Sequence, residues 1–218
     1  MLFNSLIWQT IASYFLGGLV SLLIITNPLS KIPLFLALTS EMDNAVRHRQ
    51  ARKACTYAFA ILTVSLFGGV LILKGFGISY GALRIAGGLT VALLGYRMLF
   101  QSADARATSG TAAHNIAFFP LAMPGISGPG AIAVVIGIST EIAELKVGIR
   151  EAAAYIATVA SILLTCLLIW LTLRFAQLFS RWLGQEGMDA LSRLMGFVMI
   201  CIGVQFVGSG VRSFMLGA

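Results

Sequence analysis

The sequence predicts an all-α membrane protein: six transmembrane helices set as two inverted three-helix repeats, with helices 1 and 4 broken at proline and glycine. Three observations predict it. The 218 residues are 58% hydrophobic and only 11% charged, where soluble domains carry about 25% charged residues. Such a chain cannot cover its apolar surface with polar groups. Next, charge is absent over long runs: Met1–Ser30, Ala54–Leu73, Ala107–Thr140, Ala152–Leu173 and Leu194–Val211. A bilayer core of about 30 Å needs roughly 20 apolar residues of helix. Last, motifs in the first half recur in the same order in the second.

The spans are read at about 5–26 continuing brokenly to 39, then 54–73, 78–100, 115–139, 152–173 and 194–214. Lipid leaves a spanning chain only helices or closed barrels, and runs of this length are helices. The third span carries Arg84 and Arg97 near its ends, where long side chains reach the headgroups. Gln101–His114 is the one clearly polar interior stretch. It divides the chain into a first repeat (1–100), a linker (101–114) and a second repeat (115–218).

The halves repeat one another. Pro28-x4-Pro33 recurs as Pro124-x4-Pro129, and Arg52-x-Ala54-x-x-Tyr57 as Arg150-x-Ala152-x-x-Tyr155. Ala82-Leu83, Gly88 and Gly95 recur as Ala190-Leu191, Gly196 and Gly203. Three spans is an odd number, so the second copy enters from the opposite side of the membrane, an arrangement common in secondary transporters. Lys and Arg orient the chain. Arg47, Arg49, Arg52, Lys53, Arg97, Arg106, Arg174 and Arg181 fall on one side; Lys74, Lys146, Arg150 and Arg212 fall on the other. The richer side is cytoplasmic by the positive-inside rule, which puts both termini outside. The formal charge of +7 lies between spans and forms no basic domain, so no nucleic-acid partner is expected. No removable signal peptide is expected, because a basic n-region and a clear cleavage site are lacking.

All five prolines fall in two short stretches, Pro28 and Pro33 in one and Pro120, Pro124 and Pro129 in the other. Proline removes a donor and clashes with the carbonyl four residues earlier. In lipid the freed groups need protein or a water-lined cavity. Gly125, Gly128 and Gly130 loosen the second stretch further. Pro33 and Pro129 are placed to open new half-helices, with Ser30 and Gly128 as caps. In an inverted repeat both half-helices aim their N-termini at one central region. Those ends offer spare N–H groups and partial positive charge to a carboxylate, while the upstream ends offer carbonyls to an ammonium. The fitting guest is a small zwitterion. The alternative for each lone proline is a simple kink. For the first segment the alternative to a broken span is a re-entrant hairpin.

Thr26, Asn27, Ser30 and Ser127 are the best polar candidates beside the breaks. The other membrane hydroxyls, Ser21 among them, are expected to bond their own backbones. Lys31 is expected to snorkel to the cytoplasmic face rather than meet a substrate, and Arg84 and Arg193 to anchor at the interface. Gly87, Gly88, Gly95, Gly196 and Gly203 suit tight helix packing. All eight acidic residues lie in loops or at span edges, so no buried carboxylate is in place for cation coupling. Cys55, Cys166 and Cys201 are scattered and apolar in context, so neither a disulfide nor a metal site is expected, nor any cofactor. An enzyme ranks last among the functions, for want of an acid, base or nucleophile constellation in the membrane.

"NPLSKIPLFLALT", "LRIAGGLTVALLGYRMLF", "NIAFFPLAMPGISGPGAIA" and "SRLMGFVMICIGVQF" resemble the MarC family of bacterial and archaeal inner-membrane proteins. The resemblance covers nearly the whole chain, the linker excepted. It implies six spans, a bacterial or archaeal plasma (inner) membrane and, for some members, transport or export of small neutral amino acids. Carried over by position, the family signature falls on Asn27, Pro28, Pro33, Pro120, Pro124, Gly128, Pro129 and Gly130. Position 31 is more often small or polar in relatives, so Lys31 is a departure. The expected substrate site is therefore Thr26, Asn27, Pro28, Ser30, Pro33, Pro124, Ser127, Gly128, Pro129 and Gly130, and the expected activity is secondary transport of a small zwitterionic amino acid. A pore for small solutes or ions and a non-transporting scaffold are the alternatives. The lipid bilayer, and a second copy of the chain, are the other expected partners.

Overall fold

A computed structural model describes residues 2–100, 116–145 and 148–215. The linker 101–114, with Arg106, and Lys146 lie outside the described residues, as do the side chains of Pro120 and Pro124. Among the described residues the chain is helical, with no strand. The elements are α1 (Leu2–Thr26), a 3₁₀ turn (Pro28–Ser30), α2 (Lys31–Leu38), α3 (Asn44–Phe76) and α4 (Tyr80–Phe100). They continue with an irregular segment (Ala117–Ile126), α5 (Pro129–Ala143), α6 (Ile149–Arg174) and α7 (Ala176–Met215). Five of these stretches are long and apolar enough to cross a membrane: Leu6–Leu38, Asn44–Phe76, Tyr80–Phe100, Ile149–Arg174 and Glu186–Met215. The apolar stretch expected at 115–139 is instead an irregular segment followed by the shorter apolar helix Pro129–Ala143.

The helices outrun the apolar runs. α3 begins at Asn44 rather than near residue 54, because an α-helix continues into water wherever its polar residues remain good helix formers. Bulky apolar side chains point outward, among them Trp8, Val64, Leu71, Phe76 and Ile156. That is the expected surface of a chain whose solvent on that side is lipid. The interior holds Leu22, Ile32, Phe35, Leu62, Leu66, Leu121, Ile126, Ile162 and Ile169. Ala176–Met215 bends at Gly184, whose φ of 67° is a left-handed conformation that suits glycine. The bend separates a short first stretch bearing Arg181 and the 85% exposed Trp182 from the apolar remainder.

The halves interleave. α1 packs on α6 and α5; α3 packs on α6, α5 and the irregular segment; α4 packs most extensively on α7. A glycine seam explains the last contact. Gly81, Gly88 and Gly95 recur every seventh residue on α4 and meet Gly210, Gly203 and Gly196 on α7. A Cβ on Gly88 would lie 2.6 Å from the Gly203 carbonyl oxygen, and one on Gly203 would lie 2.6 Å from that of Gly88. The pair Gly95 and Gly196 is equally tight, at 2.5 and 2.7 Å. Lipid tails are as apolar as leucine, so close backbone packing of small residues is what holds such helices together.

One charge read as an orientation signal has a structural task. Arg47 is only 7% exposed. Its guanidinium donates to the Thr39 carbonyl (2.7 Å) and hydroxyl (3.0 Å), and at longer range to the Met42 carbonyl and Asn44 Oδ1 (both 3.4 Å). It satisfies carbonyls left over at the end of α2 and ties α2 to α3. Arg47→Ala is predicted to lower unfolding stability by about 2 kcal/mol, the scale of a lost charged hydrogen bond. Denaturant titration in micelles measures it, and a parent-like midpoint would refute it.

Candidate functional site: two chain breaks beneath a polar cavity

The first break is a single residue. α1 ends at Thr26, and Asn27 takes φ 41°, ψ 78°, the only positive φ outside glycine among the described residues. Asparagine is one of the few residues that tolerates this region. Pro28 then opens the 3₁₀ turn, where its missing donor costs nothing. The Asn27 carbonyl accepts from the Ser30 N–H (3.1 Å) and hydroxyl (2.7 Å). Ser30 occupies the cap position of α2, yet its hydroxyl points back to Asn27 and makes no capping bond. This corrects the expected layout. Ser30 is already helical, at φ −64° and ψ −18°, so the chain resumes its helix at Pro28, and Pro33 merely sits in the first turn of α2.

The second break is longer. Phe119 and Met123 are extended, at φ −126° and −124°, and each precedes a proline. Clash with the proline ring drives the preceding residue out of the helical region. Ser127 returns both its N–H (2.8 Å) and its hydroxyl (3.0 Å) to the Ala122 carbonyl. Gly128 is extended at the cap position, and Pro129 opens α5 at its first position, as the residue pattern anticipates.

The start of α2 and the second break share a small hollow of about 20 Å³, room for about one water molecule. It is walled by Lys31, the first residue of α2, and by Gly125, Gly128, Pro129 and Gly130 of the second break, with Ile25, Val91 and Met199 closing it. Gly130 permits the approach: a Cβ there would stand 2.5 Å from Val91 Cγ2 and 3.1 Å from Ile25 Cγ1. Of the nominated residues, then, Gly128, Pro129 and Gly130 line the hollow. Thr26, Asn27, Ser30 and Ser127 are buried but are not among its walls. Their polar groups are engaged within the protein: Thr26 donates to the Leu22 carbonyl (2.6 Å) and the Asn27 amide to Met195 Sδ (3.3 Å). Pro28 and Pro33 are half-buried and line neither cavity. Of Pro124 only the backbone is described.

Lys31 corrects another expectation. It does not snorkel. Its side chain is 6% exposed and contributes a wall of the hollow. Lys31 and the first residues of α5 share this wall, and a helix N-terminus favours negative charge.

A much larger cavity, about 450 Å³, lies between α1, α4, α5 and α7. Its size is that of small-molecule sites. Ser13, Gly17 and Ser21 form one wall along α1; Tyr80 and Arg84 come from α4, Glu141 from α5, and Gln205 and Ser209 from α7. Ile25 belongs to both cavities and divides them. The Arg84 guanidinium lies 4.9 Å from the Tyr80 ring centroid, and its Nε is buried without a hydrogen-bond partner. Gly137 leaves room for the Tyr80 hydroxyl, which a methyl group there would strike. Sequence reasoning left this cavity out. The one local signal was the Ser13-x3-Gly17-x3-Ser21 stripe, small and polar on one helix face. Among the described residues no group of three or more His, Cys, Asp or Glu is placed to hold a metal ion.

The family model described as MarC family integral membrane protein matches residues 12–215. The chain is 40% identical over 204 residues to the inner membrane protein MarC of Escherichia coli (strain K12), covering 89% of this chain and 92% of that protein. The same figures hold for the inner membrane protein MarC of Shigella flexneri. No solved structure matches. With long apolar helices facing outward and a family match over nearly its whole length, the chain belongs to the MarC family of integral membrane proteins.

Proposed function

We propose that this protein is a secondary transporter that carries small neutral amino acids across the plasma (inner) membrane, as an exporter, by rocking two inverted three-helix halves about the hollow between the breaks. The observation that carries the reading is the meeting of Lys31, at the start of α2, with Gly128–Gly130, at the start of α5, around one hollow beneath a cavity of about 450 Å³. One break comes from each half. A carboxylate entering there finds an ammonium and a helix N-terminus.

The packing supports inverted halves. In the repeat Gly88 corresponds to Gly196 and Gly95 to Gly203. The contact of Gly88 with Gly203 therefore exchanges with that of Gly95 with Gly196, and both are equally close. Reciprocal pairing of this kind is the mark of a two-fold relation. α1 against α6 is likewise matched by the irregular segment against α3, and α2 against α7 by α5 against α4. A polar cavity on one side of the breaks, and a hollow of about 20 Å³ behind Ile25, favours alternating access over a pore, which needs a continuous path. In this reading the cavity opens on the outer side with both termini.

The reading predicts that purified protein in vesicles exchanges labelled alanine or glycine by counterflow. Flux equal to that of empty vesicles across a panel of small amino acids would sink it. Lys31→Met, similar in length but uncharged, is predicted to weaken apparent alanine affinity by about tenfold while the protein stays folded. An unchanged half-saturation in counterflow would remove Lys31 from the site.

A further inference from the structure

We propose that the large cavity is itself a zwitterion-binding vestibule, in which Arg84 receives a carboxylate and Glu141 an ammonium before the guest passes Ile25. The inference deepens the carrier reading and rests on it for the choice of amino acids as probes. Arg84 is the first reason. A side chain that merely anchors a helix at the interface keeps its charged head in water. Here the Nε is buried without a partner, and the guanidinium is held against the Tyr80 ring at 4.9 Å. An unmet buried donor on a fixed cation is costly. A carboxylate taking the planar fork in two bonds completes it.

Glu141 is the second reason. It is an exposed carboxylate near the end of α5, and it lines the same cavity as Arg84. Opposite charges on one polar cavity discriminate a zwitterion from singly charged or neutral solutes, because each wrong guest leaves one charge unmet. Tyr14, Ser21 and Gln205 join the two charged groups, while Ile24, Ile25, Val134 and Ile138 give the same lining an apolar side. The placement has a consequence for motion. Arg84 belongs to α4, before the linker, and Glu141 to α5, after it. A guest bridging them ties the two halves together at that end of the molecule and biases the equilibrium there.

The test is protection of a reporter cysteine. In a background where the exposed Cys201 is changed to serine, Ser209→Cys, or Ser13→Cys should the first fold poorly, is treated with a membrane-impermeant maleimide applied to each face of sealed vesicles. Labelling is expected from one face only. L-alanine is expected to slow it, with propionate and ethylamine weaker by about tenfold or more. Arg84→Gln and Glu141→Gln should each raise the protecting alanine concentration by about tenfold, with Arg84→Lys in between, while the labelling rate without ligand stays put. No labelling, or labelling that alanine does not slow, overturns the vestibule. So does protection equal for alanine and propionate, or unchanged by both charge-removing variants. Counterflow on the same vesicles separates the two ideas: protection without flux keeps the vestibule and removes the carrier, and flux without protection does the reverse.

Discussion

Gly203→Leu is expected to destabilise the protein more than any other single change considered for this chain. A Cβ at Gly203 would lie 2.6 Å from the Gly88 carbonyl oxygen and 2.7 Å from both the nitrogen and the Cβ of Ala92. Two of these atoms are backbone and cannot swing aside. α4 and α7 must part, and contacts at Gly81 with Gly210 and at Gly95 with Gly196 loosen with them. Apolar burial cannot compensate, because a side chain leaving the seam exchanges protein for lipid rather than for water. Overpacking costs typically about 1–3 kcal/mol and more where backbone is struck, so about 3 kcal/mol or more is expected. Thermal or denaturant unfolding in micelles measures it. Gly208→Leu on the same helix is the control, since a Cβ there meets nothing within 4 Å. Equal stability of the two variants would refute the seam.

Asn27→Ala is expected to abolish alanine counterflow while leaving the protein in the membrane. At φ 41° alanine carries a left-handed strain of roughly 1–2 kcal/mol that asparagine relieves. Loss of the amide also removes the contact to Met195 Sδ, a tie between the first break and α7. The relaxed backbone would leave the left-handed region for the extended one that the following Pro28 favours, shifting Lys31 relative to Gly128–Gly130. Asn27→Gly separates backbone from side chain: glycine adopts this φ freely, so it should retain the fold and a measurable part of the flux. Parent-like flux in Asn27→Ala would mean that the interruption does not matter to transport.

Much of this architecture was readable residue by residue. Charge-free runs announced the membrane helices, because burying an ion in hydrocarbon is costly wherever the chain lies. Pro28, Pro124 and Pro129 announced the interruptions, and the extended Phe119 and Met123 follow from the prolines after them. Other features took a place the local sequence did not announce. Lys31 was expected to snorkel and is buried; Arg84 was expected to anchor at the interface and lines a cavity; Ser30 was expected to cap α2 and bonds Asn27 instead. For Lys31 and Arg84 the neighbours that decide the matter, Gly128–Gly130 and Glu141, stand on other helices.

Membrane residence and the places where the helices break were determined by the sequence itself. They follow from covalent and short-range facts: side-chain polarity, a missing N–H, a ring that strikes its neighbour. The tertiary structure decided which glycines face one another, that Lys31 is buried, and that Arg84 and Glu141 share one cavity. Those features depend on the register of helices from different parts of the chain. Register is set by the close fit of many small contacts summed over whole helix faces, which no local stretch encodes.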